Sequence, residues 1–231
     1  MRETTILTVS GMDLTDGEKS FSQTWGCKFI NKTASDLNIY YNAADTAQAE
    51  AIARRWTEET TQTLEPSMEE IIQSARLHLA IKAMMSDTHA NAVTIDCLSL
   101  SYGGEYAGGK HMYPCLSHYE MLNNGIVAVC EADLCATVTS LVIQYLTGRP
   151  GFVSDPVIDT SSDQIIYAHC VACSKVYGKN DPRRCRCYIR SHAEDKQGAS
   201  VQVYFPAGEK LTTAMTVSYT HLRAHETLRH L

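Results

Sequence analysis

Apolar residues in this chain gather in short runs, and the stretches between them carry helical spacing. TTILTV (4–9) and LNIYY (37–41) have the β-branched and aromatic density of strands. Residues 43–62 predict a helix, with Ala44, Ala47, Ala51 and Trp56 recurring at roughly helical intervals. A second helix starts at Ser67, where Ser67-Met68-Glu69-Glu70 fits a capping box and Ile72, Ala75, Leu79 and Ala83 follow at i+3 and i+4. AVTI (92–95) predicts a strand ending at Asp96, and Pro114 opens a short helix that Gly125 closes. IVAVC (126–130) is a buried-type strand ending at Glu131. Residues 133–147 form a helix stopped by Gly148 and Pro150, GFVS (151–154) is a strand ending at Asp155, and QIIYA (164–168) is a strand ending at His169.

This alternation predicts an α/β fold, a mainly parallel sheet with flanking helices, over 1–162. From 163 the pattern changes. CRCYIR (185–190), ASVQVYF (199–205) and KLTTAMTV (210–217) are strand-like with turn signals and no helix between them, which predicts the start of an antiparallel β domain over 163–216. No internal repeat or low-complexity linker interrupts the chain.

Composition narrows the partners. The 231 residues are 44% hydrophobic, enough for a real core, and the formal net charge is −6. With no Lys/Arg block, neither nucleic acid nor an anionic membrane is expected as a partner. The N-terminus has no apolar segment of the signal-peptide kind, and SLVIQYL (140–146) is too short to span a bilayer, so the expected location is the cytoplasm. There the nine cysteines are expected as thiols or ligands rather than disulfides. Cys170-x-x-Cys173 and Cys185-x-Cys187 could hold zinc or act in redox chemistry, although Cys-x-Cys is not a zinc-knuckle spacing. Cys130, Cys135 and Cys170 lie in apolar runs, where a thiol packs as a small hydrophobe.

The last stretch, VSYTHLRAHETLRHL, differs in character from the rest. Val217 to Thr227 resembles the translation of a transposon-end sequencing adaptor, so 217–231 is expected to be a non-native tail. His221, His225 and His230 are accordingly given no chemistry.

Asp96, Glu131, Asp155 and His169 are each expected just after a strand, where parallel α/β sheets place their functional edge. Two carboxylates and a histidine suit a divalent metal such as Mn²⁺, and two close carboxylates suit general acid/base work. Each also has a plainer reading: Asp133 as a helix cap, Asp155 before Pro156 as a turn residue, His169 as a hydrogen-bonded core histidine. Gly104 to Lys110 matches G-x-x-x-x-G-K, but His111 follows where a P-loop needs Ser or Thr, and Pro114 precedes any helix. A flexible loop over a site is the better expectation.

YPCLSHYEMLNNGIVAVCEADLCATVTSLVIQYLTGRPGFVSD (113–155) resembles the L-fucose isomerase-like sugar isomerases, as do CLSL (97–100), AHC (168–170) and RSHAEDKQGASVQVYFPAGE (190–209). The resemblance runs from about 25 to 216 and is sharpest at the Cys-Glu-Ala-Asp box with Asp155 following 24 residues after Glu131. It implies a metal-dependent aldose–ketose isomerase acting on a small-molecule sugar through an enediolate, with Mn²⁺ as cofactor and homo-oligomers when full length. Glu131 and Asp155 are then metal ligands and acid/base groups. Family members are longer, with an N-terminal α/β domain and a C-terminal region that have no counterpart here, so the chain reads as a fragment. Their third protein ligand is a histidine of that later region. His169 or His192 is the candidate to approach the metal in its place. The competing readings are a non-catalytic sugar-binding or assembly relative, and a zinc or redox module built on the late cysteines.

Overall fold

The computed structural model describes residues 1–216 and, of residues 222–227, the backbone alone. The first half runs β1 (Thr5–Val9), α1 (Thr15–Trp25), β2 (Lys28–Lys32), α2 (Ala34–Ala43), α3 (Thr46–Glu59), β3 (Gln62–Thr63), α4 (Met68–Asp87) and β4 (Ala92–Ile95). There follow α5 (Cys97–Gly103), α6 (Cys115–Asn123), β5 (Val127–Cys130) and α7 (Leu134–Thr147). The remainder is strand: β6 (Asp155–Asp159), β7 (Gln164–Ala168), β8 (Cys187–Arg190), β9 (Ser200–Val203), β10 (Leu211–Thr216) and β11 (Leu222–Thr227).

Four strands form a wholly parallel sheet in the order β2-β1-β4-β5. Its central strands are mostly apolar, with Thr8 and Thr94 buried among them, because both faces are covered. Leu7, Val9, Val93, Ile95 and Ala128 pack on α2 and α4, while their neighbours Ile6, Ala92, Val127 and Val129 pack on α1 and α7. The side-chain period of two along each strand thus supplies two cores from one run.

Residues 37–41 are helical, not a strand. Thr33 closes a capping box with Asp36: the Asp36 amide donates to Thr33 Oγ1 at 3.2 Å and the Thr33 amide to Asp36 Oδ2 at 2.8 Å. The helix then buries Leu37 and Tyr41 together and turns Ile39 outward, whereas a strand would have put all three on one face. The helix of 43–62 is confined to Thr46–Glu59, capped by Asp45 accepting from the Gln48 amide. The capping box at Ser67 and Glu70 forms as the pattern predicts.

The second half holds small sheets. β3 pairs in parallel with β8, and β8 pairs antiparallel with β9. Ile189 and Val201 from this sheet share a core with Trp56, Ile71 and Tyr119. β6 and β7 form an antiparallel hairpin. Residues 151–154 are not a strand; the strand begins at Asp155, because the apolar pair Val157-Ile158 finds its partner in Ile165-Ile166. β10 pairs with β11, which places the backbone of 222–227 in a hairpin. The rest of the expected tail (217–221 and 228–231), and its histidine side chains, lie outside the described residues. No helix among the described residues is long and apolar enough to cross a membrane.

Candidate metal centre at the edge of the sheet

β5 ends at Cys130, and the chain turns sharply into α7. Glu131 and Ala132 make that turn with φ of 65° and 51°, in the left-handed region where a side chain is strained. The turn is pinned at both ends. The Ala132 amide donates to the Ile95 carbonyl at 3.0 Å, and Asp133 Oδ1 accepts from the Ala136 amide at 2.9 Å, capping α7. Asp133 is therefore a cap, and Glu131 is held outward by backbone geometry rather than by packing.

The hairpin supplies the other two groups. Asp155 opens β6 directly opposite Ala168, the last residue of β7, so Asp155 and the following His169 come together. Ligand atoms of Glu131, Asp155 and His169 all lie within 4.8 Å of one another. Glu131 Oε1 is 3.6 Å from His169 Nε2; the Glu131 side chain is 42% exposed and that of His169 only 4%. The three residues expected to act together therefore do meet, although Asp155 arrives as the start of an antiparallel strand and not as the end of a parallel one. Asp96 stays outside. It is buried at the end of β4, with Ser10 Oγ donating to its Oδ2 at 3.5 Å.

The electrostatics follow from this enclosure. Burial raises the Glu131 carboxyl above its ordinary range; His169 opposes that rise and Asp155 adds to it. Burial disfavours the His169 imidazolium, yet Cys170, Glu131 and Asp155 outweigh it and hold the ring up at about 9. Both carboxylates face solvent. Behind them a cavity of about 10 Å³, lined by Cys130, His169 and Val171 among others, has room for a single water at most.

Beside this centre lie further side chains whose contacts the sequence does not show. Cys170 Sγ lies 3.5 Å from His169 Nδ1, and Cys130 Sγ lies 3.4 Å from His118 Nδ1. Asp195 gathers the loop after β8: Tyr113 donates its hydroxyl to Oδ2, and His111 Nδ1 lies 2.8 Å from the same oxygen. His192 stacks on Tyr113 with ring centroids 3.9 Å apart, fully enclosed and apart from the carboxylate centre. The sequence points to this loop through the stretch 190–209 and through His192, but not to its contacts with His111 and Tyr113. The Gly-rich loop 104–110 leads into no helix. Asn38 accepts from the Ala107 amide at 2.8 Å, and Tyr106 is buried, so the loop is anchored at these two points. Of the late cysteines, Cys170 joins three-ligand groups but not with its motif partners: Cys187 Sγ faces the Tyr119 hydroxyl at 3.3 Å, and neither Cys173, Cys185 nor Cys187 belongs to a three-ligand group among the described residues.

No family model and no curated protein matches the chain.

Proposed function

We propose that this chain carries the metal centre of an aldose–ketose sugar isomerase of the L-fucose isomerase-like kind. The observation that supports it is the convergence of Glu131, Asp155 and His169 within 4.8 Å. Two carboxylates and one imidazole are a hard-to-borderline set that suits Mn²⁺ or a similar divalent ion. The ion, when bound, would supply Lewis-acid polarisation of the carbonyl of an open-chain aldose.

The chain's own groups account for the proton movements. Glu131, held above the ordinary carboxyl range, suits a base that takes the proton from C2 of the sugar near neutral pH. Asp155, across the same opening, is the group proposed to relay the proton taken up by Glu131 on to C1, while the O2 hydroxyl proton moves to O1. His169 keeps Nε2 toward the carboxylates while Nδ1 faces Cys170, which fixes the ring's orientation. The open face of the two carboxylates gives a sugar its approach.

The test is Mn²⁺ binding by the chain, read by electron paramagnetic resonance, alongside isomerisation assays with aldoses. Glu131→Gln should weaken Mn²⁺ binding by at least about tenfold while leaving the far-ultraviolet circular dichroism unchanged. Unaltered Mn²⁺ binding by a folded Glu131→Gln variant would sink the reading. Mn²⁺-independent sugar binding without turnover would instead favour a non-catalytic relative.

A further inference from the structure

We propose that Cys115, Cys170 and His192, with Cys130 beside them, form a second metal site: a closed one, for a thiophilic ion of the zinc type. The two sulfurs and the imidazole of the first three lie within 4.8 Å of one another, and Cys130 and Cys170 belong to a second such group with His169. A tetrahedral ion with bonds of about 2.0–2.3 Å sets neighbouring donors roughly 3.5 Å apart, so modest side-chain rotations close the shell. Thiolate and imidazole together select zinc or copper(I) over Mn²⁺ or Mg²⁺, the reverse of the carboxylate centre.

Burial is what makes these residues a site and not a chance meeting. Cys115 and His192 are each 0% exposed and Cys130 is 2% exposed. Neither ring nitrogen of His192 has a hydrogen-bond partner. A buried imidazole left in that state costs free energy that a ligated ion would offset. Asp195 stands behind it, with Oδ1 3.7 Å from Nδ1, as the carboxylate that would orient the ring on ligation. Around the sulfurs lie Tyr113, Leu122 and Val171, an apolar wall against which Cys170 itself is part-buried. The site is structural in kind: its ligands come from the start of α6, the end of β5, the segment after β7 and the loop after β8, so one ion ties four parts of the chain together. Each thiol that ligates gives its proton to solvent.

The two centres are distinct but adjacent. His169 stands between them, Nδ1 toward Cys170 and Nε2 toward Glu131. The test uses the full chain, purified under reducing conditions and loaded with Co²⁺ or Zn²⁺. One tightly held zinc per chain is expected, and with cobalt an intense sulfur-to-metal charge-transfer band of a tetrahedral site. The band should vanish in Cys170→Ser and persist in Cys185→Ser and in Asp155→Asn, the last separating this site from the carboxylate centre. Histidines of the C-terminal stretch would give no sulfur band. A folded, unaltered chain whose cobalt spectrum lacks that band overturns the proposal without recourse to any variant. So does a band that survives Cys170→Ser and disappears in Cys185→Ser.

Discussion

Glu131 and Ala132 hold consecutive left-handed conformations that neither residue type favours. Strain of this kind persists only where the surroundings fix it, here the Ala132–Ile95 hydrogen bond and the Asp133 cap. A β-branched side chain tolerates such a φ least. Ala132→Val should therefore destabilise the fold by roughly 2 kcal/mol, seen as a lower urea midpoint. A second residue-scale prediction concerns acid. Burial pushes the His78 ring, which sits 3.0 Å from Ser117 Oγ, down to about 4, against about 6.5 in the unfolded chain. The unfolded chain takes up this proton first as pH falls. Stability is thus whole above about 6.5 and drops as pH approaches 4, by up to about 3 kcal/mol from this ring. His118, pushed down to about 3 by burial, acts with the same sign. Urea midpoints measured across that window should fall less steeply in His78→Gln than in the unaltered chain; equal slopes would refute the assignment. The Cys-Glu-Ala-Asp box is readable in the sequence as a candidate, but its strain is not, since nothing in the residue types calls for positive φ. Nor is the grouping of Cys115, Cys170 and His192, whose members lie far apart in sequence; the one local ligand spacing, Cys170-x-x-Cys173, points to a partner that Cys170 does not take.

Elements with one dominant local signal are legible. β4 is AVTI with Asp96 after it, and α4 begins at its capping box. α7 runs from the Asp133 cap to Gly148, whose φ of 69° ends it. Where two signals compete, the sequence misleads. In α2 the strand-like Leu-Asn-Ile-Tyr-Tyr loses to a capping box three residues upstream. β2, with lysines at both ends and an edge position, has too little apolar content to be noticed. The β6–β7 hairpin is the instructive error, because Asp155-Pro156 looks like a stop and is instead the first pair of a strand. Val157 and Ile158 on that hairpin are 56% and 73% exposed, so little packing holds it. Two strands alone are marginal in water. Amides of 155–168 should accordingly exchange with solvent far faster than those of β4 and β5, by mass-resolved hydrogen exchange. Protection equal to that of the parallel sheet would contradict this.

At the scale of the whole molecule, the α/β layer with its parallel sheet was legible, as was a turn to antiparallel strands, although that turn begins at Asp155 and not at the expected 163. What the pattern could not show is that the late strands return to an early one. β8 pairs with β3, Arg190 reaches Glu65 at 2.5 Å, and Ile189 and Val201 complete the core around Trp56. Ile189→Ala should cost about 2–5 kcal/mol and shift the tryptophan-fluorescence and circular-dichroism transitions together. Two separated transitions would show that this core is not shared.

That same pairing sets a delay during synthesis. Glu65 leaves the ribosome 125 residues ahead of Arg190. At roughly 5–20 residues per second the wait is on the order of 10 s. Throughout it, the face of α3 and α4 that Ile189 and Val201 will cover has no lid, and Trp56 and Ile71 stand open to whatever passes. For this chain the hazard of misassembly is a matter of timing, concentrated in the interval before its last strands are made.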